Sequence, residues 1–133
     1  MSWETLLLGD IYFMKNKGYD EIKVLLEKIC EILELDTPKQ FNENEYNKLY
    51  HSRLNKYGNY LIDHGDFWYL TITDINYSSH IDDEKLEELR TLLSKNKDLV
   101  YSADLSLYYL DEAHVNFNYD STEENEEDVE DVE

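Results

Sequence analysis

The sequence predicts an α+β fold in which an antiparallel sheet of four to five strands carries two helices on one face. Three observations lead there. Two segments repeat apolar residues at steps of three and four, as an amphipathic helix does. Four segments alternate apolar and polar residues as strands do, and a fifth, before Gly58, fits that period as well as a helical one. Their order is β-α-β-β-α-β with one more strand at the end, which is the ferredoxin-like, split βαβ arrangement.

The first strand spans Trp3–Phe13. Trp3, Thr5, Leu7, Gly9, Ile11 and Phe13 share one face, and Leu6, Leu8 and Tyr12 make the other face partly apolar, so this strand belongs in the middle of the sheet. A turn at Lys15–Gly18 leads to a helix from Asp20 to Leu35, with Ile22, Leu25, Leu26, Ile29, Ile32 and Leu33 as its stripe. Asp20 is the expected cap, Tyr19 and Val24 the expected hydrophobic staple, and Pro38 ends the segment. The stretch from Phe41 to Asp63 fits two periods: Tyr46, Leu49, Tyr50, Leu54, Tyr57 and Leu61 suit a helix, and Tyr46, Lys48, Tyr50, Ser52 and Leu54 suit an edge strand broken at Gly58-Asn59. The strand is preferred because it closes a four-stranded sheet.

After the turn at Asp63–Asp66, Phe67–Asn76 alternates as a strand on both faces. A second helix, Asp82–Lys97, places Leu86, Leu89, Leu92 and Leu93 on one stripe, with Asp82 as cap and Ile81 with Leu86 as staple. Val100–Leu110 is the next strand, and Val115, Phe117 and Tyr119 mark a last antiparallel one. Residues 1–119 therefore read as one domain. Residues 120–133 read as an acidic, flexible tail, because beyond Tyr119 only Val129 and Val132 are apolar and burial cannot offset the ordering entropy.

Charge restricts the partners. The chain of 133 residues has 31 acids and 12 bases, a net charge of −19. The 120–133 segment holds nine of the acids and no base, which leaves a net −10 on 1–119. Such a surface repels nucleic acid, whose affinity for proteins comes from lysine and arginine replacing counterions at phosphates. It also repels anionic membranes and attracts basic proteins. No cationic leader or long apolar run appears, so a cytoplasmic location, in the source cell or an infected host, is expected.

Chemistry-bearing residues are sparse. Cys30 is the single cysteine and falls on a helix stripe, where cysteine acts as a small hydrophobe. His51, His64, His80 and His114 form no zinc spacing. His64 with Asp66, and His80 with Asp82 and Asp83, are short turn clusters of a kind that arises by chance. Ser78 and Ser79 adjoin His80 without a nucleophile elbow, and the four glycines stand apart, so no phosphate loop exists. The expectation is a protein that is not an enzyme and needs no cofactor or metal.

Aromatic residues make up 14% of the chain, twelve of them tyrosine, and many fall in predicted strands. With helices on one sheet face, some rings belong on the open face, where tyrosine and tryptophan supply stiff contact area for a partner. Trp68, Asp74, Tyr77, Asp104 and Tyr108 are the candidate partner-binding residues. The expected function is docking on a basic protein, as an immunity protein or antitoxin against a nuclease toxin, or as a DNA-mimic nuclease inhibitor. A homo-dimer or larger structural assembly, and a small enzyme or ligand-binding domain, are the alternatives.

Overall fold

A computed structural model describes residues 5–51, 58–76, 83–109 and 114–122. Trp3, Tyr77, the Ser78–His80 cluster, the Ile81–Asp82 cap and staple, and the tail beyond Thr122 lie outside the described residues. The elements in order are β1 (Thr5–Phe13), α1 (Tyr19–Leu33), β2 (Lys39–Asn42), α2 (Glu43–His51), β3 (Gly58–Asp63), β4 (Trp68–Asn76), α3 (Asp83–Lys95), β5 (Val100–Tyr109) and β6 (Val115–Asp120). The fold is α+β. One sheet has the strand order β2-β3-β4-β1-β5-β6. It is mixed, because β2 runs parallel to β3 while every other neighbouring pair is antiparallel.

This differs from the expected four to five antiparallel strands with two helices: the sheet has six strands and the described residues form three helices. The difference lies between Lys39 and Asp63. The preferred strand over Tyr46–Leu54 is helical as far as His51, and the expected break at Gly58-Asn59 is the start of β3. The physical cause is a reciprocal cap. The Glu45 N–H donates to Asn42 Oδ1 at 2.8 Å, and the Asn42 N–H donates to Glu45 Oε1 at 3.0 Å. Two otherwise orphaned donors are satisfied, so the helix starts at Glu43.

The cap of α1 also differs. Asp20 lies inside the helix, Gly18 precedes it in extended conformation, and the Gly18 N–H donates to Glu21 Oε1 at 2.8 Å. Val24 is 60% exposed, so the expected staple is not made. Tyr19 turns instead to the Trp68 ring, 6.0 Å away between centroids. At the far end, Glu34 takes the left-handed conformation with φ 58°, and the Leu35 N–H donates to Cys30 O at 2.8 Å. This closes the last turn before Pro38.

The main core lies between one sheet face and helices α1 and α3. Ile22, Leu25, Leu26, Ile29 and Leu33 of α1 and Leu86, Leu89 and Leu93 of α3 are buried. They meet Leu7 and Ile11 of β1, Leu70 and Ile72 of β4, and Ala103, Leu105 and Leu107 of β5. Each fully buried Leu or Ile contributes about 1.5–3 kcal/mol, so the two leucine-rich stripes suffice to hold both helices on this side. Lys85 of α3 pairs with Glu34 beyond α1. Cys30 is buried in the same core, and its thiol is pushed up to about 11 by burial and by Asp36.

Helix α2 lies on the opposite sheet face, over the β2–β3 edge. Tyr60 and Ile62 are buried on that side. The Tyr60 ring sits 5.7 Å from both Phe41 and Tyr46. The rest of that face carries no helix among the described residues. At the other edge, Arg90 of α3 reaches over β6. Its guanidinium lies 4.6 Å from the centre of the Phe117 ring, and Nη1 donates to the Asn118 carbonyl at 2.9 Å.

Candidate functional site

The part of the sheet face that no described helix covers is the candidate interface. Strand geometry decides what it displays, since alternate side chains point to opposite faces and the core takes one set. Burial of Leu7 and Ile11 leaves Leu6, Leu8, Asp10 and Tyr12 of β1 on the open side. The register sets three rows across the sheet. One runs Tyr60, Thr71, Asp10, Asp104, Asn118. The next toward the strand ends runs Ile62, Tyr69, Tyr12, Ser102, Asp120. On the other side, Thr73, Leu8, Ser106 and Asn116 form a row in which the Ser106 hydroxyl pairs with Asn116 Oδ1 at 3.1 Å.

The central feature is Asp10 directly opposite Asp104 on neighbouring strands. Like charges in that position destabilise a sheet. No ion pair to a described base offsets them. Beside them is an aromatic group. Tyr12 and Tyr69 lie 5.5 Å apart, and Phe67 lies 6.2 Å from Tyr12 and 6.1 Å from Tyr69. His64 stacks on Phe67 at 4.4 Å, and its Nε2 is 3.8 Å from Glu43 of α2. The Tyr12 hydroxyl reaches Asp10 Oδ2 at 3.5 Å, the long end of a hydrogen bond.

These surroundings hold both phenols neutral. Burial, then the charges of Asp10 and Asp104, raise the Tyr12 hydroxyl above its ordinary value. Tyr69 is pushed up to about 12 by burial first, then by Glu43, Tyr46, Asp10 and Tyr12. A phenol raised in the fold ionises earlier in the unfolded chain. Its stabilising contribution is therefore complete below about pH 10 and lost as the pH rises from there toward 12. Denaturant midpoints measured from pH 9 to 12 are expected to fall with rising pH, and to fall less steeply in Tyr69→Phe. Equal slopes in the two proteins contradict this account.

The structure places the sequence candidates on different surfaces. Asp104 and Tyr108 are on the open face, and Tyr108 is 42% exposed with its ring stacked on His114 at 4.4 Å. Trp68 lies on the helix side, half-buried against the main core and Tyr19. Asp74 sits opposite Leu7 in the β1–β4 ladder, and Tyr77 is outside the described residues. Asp10, Tyr12 and Tyr69 were missing from the candidates. Their signal was Asp10 standing between Leu8 and Tyr12 on the second face of an apolar strand.

Among the described residues no group of three or more His, Cys, Asp or Glu side chains is arranged to hold a metal. No described helix is long and apolar enough to cross a membrane. The chain matches no family model, no curated protein and no solved structure.

Proposed function

We propose that this chain is an acidic protein-binding module whose open sheet face docks on a basic surface of another protein. The observation that carries this reading is the segregation of charge. The open-face rows hold three aspartates, Asp10, Asp104 and Asp120, and strands β1, β3, β4, β5 and β6 contain no lysine or arginine. Every described base lies on a helix, in a turn or on the short strand β2. The helix side mixes both signs, as where Lys28 and Lys95 stand among Glu84, Glu87 and Glu88. Mixed charge keeps a surface soluble, whereas single-sign charge beside half-buried tyrosines is what a cationic partner selects.

Inhibition of a nuclease, by an immunity protein, an antitoxin or a DNA mimic, is the specific role this reading favours. The nuclease's phosphate-binding lysines and arginines would face the Asp10–Asp104 row. A self-association through the same face brings aspartates against aspartates, which weighs against a homo-dimer there. The reading extends to the fold: β3, β4, β1 and β5 with α1 and α3 supply the strand order of a ferredoxin-like core. The segment β2–α2 extends one edge of that core and β6 the other.

The test is a pull-down from the source cell at low and high salt with three baits. They are the natural chain, an Asp10→Asn, Asp104→Asn, Asp120→Asn variant, and a helix-side variant Glu84→Gln, Glu87→Gln, Glu88→Gln of equal charge. A basic protein retained at low salt by the first and third baits, and lost by the second, is expected. Equal loss from both variants reduces the effect to net charge and overturns the reading, as does the lack of any salt-sensitive partner.

A further inference from the structure

We infer that the cleft where β1 ends and β5 begins is a binding site for a small amphipathic anion, a molecule with an aromatic or branched apolar body and a single acid group. The cleft has a volume of about 690 Å³. That falls within the range small ligands use, roughly 300–1,000 Å³. Its walls include the rings of Tyr12, Phe67 and Tyr101 and the side chain of Met14, with Ser102 and Lys15 as polar groups. The cleft shares Tyr12, Phe67 and Ser102 with the open face. It differs from the docking proposal in the charge it selects, and its test on the isolated chain needs no protein partner.

The cleft is built by an irregularity in the sheet. Tyr12 pairs with Ser102 and Phe13 with Val100, so Tyr101 is an extra residue with no partner on β1. Such a bulge bends the strand and re-aims side chains, and bulges gather beside binding sites. Tyr101 is consequently 51% exposed, a large ring held at the cleft rather than in the core. Its backbone stays fixed, since its carbonyl accepts from the Ser121 N–H at 3.1 Å. The flanking turn is also tied down: the Met14 N–H donates to Leu99 O and the Asn16 N–H to Asp66 O, each at 2.9 Å. The cleft is therefore pre-formed, which lowers the ordering cost of binding.

The charge of the lining chooses the ligand. In a chain with 31 acids and 12 bases, the cleft is lined by one base and no acid. Lys15 forms no ion pair with a described residue. An ammonium beside apolar walls suits an acid group whose apolar remainder fills the cleft. Asp10 stands behind the cleft wall, reached by the Tyr12 hydroxyl at 3.5 Å, and acids farther than about 8 Å are screened by salt at physiological ionic strength.

Two probes with one ring system test this. 1-Anilinonaphthalene-8-sulfonate carries a sulfonate, and N-phenyl-1-naphthylamine lacks it. Saturable fluorescence enhancement at one site per chain is expected for both, with circular dichroism confirming a native fold. Lys15→Met is expected to weaken sulfonate binding about tenfold, the loss of one charge-assisted contact, and to leave the neutral probe unchanged. Tyr101→Ala is expected to weaken both probes. Failure of both probes to saturate on the folded chain overturns the site. An unchanged sulfonate affinity in Lys15→Met overturns the assignment to an anion.

Discussion

Replacing Gly9 with alanine is expected to cost about 2–5 kcal/mol, a large part of the stability of a domain this size. Gly9 is in the central strand with φ +146°, and a Cβ there would meet the Asp104 carbonyl oxygen at 2.2 Å and the Leu105 Cα at 2.7 Å. Both obstacles are backbone, so β5 itself must move away from β1. That movement opens the main core between Leu7, Ile11 and Leu105 and separates Asp10 from Asp104. The melting temperature is expected to fall by roughly 10 °C or more. Gly65 supplies the control. It has φ +112° and nothing within 4 Å of an added Cβ, so Gly65→Ala carries strain without a clash. It is expected to cost about 1 kcal/mol. Equal losses at the two sites would falsify the steric explanation and leave only backbone conformation.

Asp104→Asn is expected to move stability and binding in opposite directions. Removing one charge from a directly opposed like-charged pair gains about 0.5 kcal/mol. The gain shrinks as salt is added, because screening already relieves the natural chain. Asp10→Asn is expected to gain a similar amount, and the double variant less than the sum, because either substitution alone relieves the same repulsion. The basic partner is expected to bind each single variant at least about tenfold more weakly at low salt, mostly through slower association. Chemical denaturation and a salt series on the isolated protein check the first half of this expectation without knowledge of the partner. A stability loss in either single variant refutes the repulsion, and with it the argument that the pair is held for a cationic ligand.

The elements that the sequence made legible are those whose periodicity admits one solution. The stripe from Ile22 to Leu33 has no strand interpretation, and the alternation of Leu105, Leu107, Phe117 and Tyr119 has no helix interpretation. The region from Lys39 to Asp63 does not share this property. Tyr46 and Tyr50 satisfy both periods, and the choice falls to the Asn42–Glu45 cap, a four-residue signal that outweighs the pattern around it. Strand β2 was invisible for another reason. Its four residues are largely exposed, and its pairing with β3 depends on chain that returns from α1. The inward face of β4 is not legible in the sequence, because Trp68, Leu70 and Ile72 compete with Tyr69, Thr71 and Thr73 and both sets suit burial. Only the neighbours Ile11 and Leu61 decide that Leu70 goes inward and Tyr69 outward. That single decision sends Trp68 to the helix side and brings Tyr69 beside Tyr12. Asp104 and Tyr108 fall on the open face because β5 alternates regularly from Ser102 onward, beyond the bulge at Tyr101.

Arg90 has a consequence for how molecules of this chain can meet. A sheet whose last strand is bare offers its backbone to the next copy, and repeated addition gives filaments. Here an arginine rooted in α3 stacks over Phe117 and holds the Asn118 carbonyl, in the middle of β6. A second chain adding at that edge must first displace a charged group already engaged with a ring and a carbonyl. Growth by strand addition is obstructed at β6, and the opposite edge offers only the four residues of β2. Among the described residues, neither edge of the sheet offers a long bare strand on which a second copy could build.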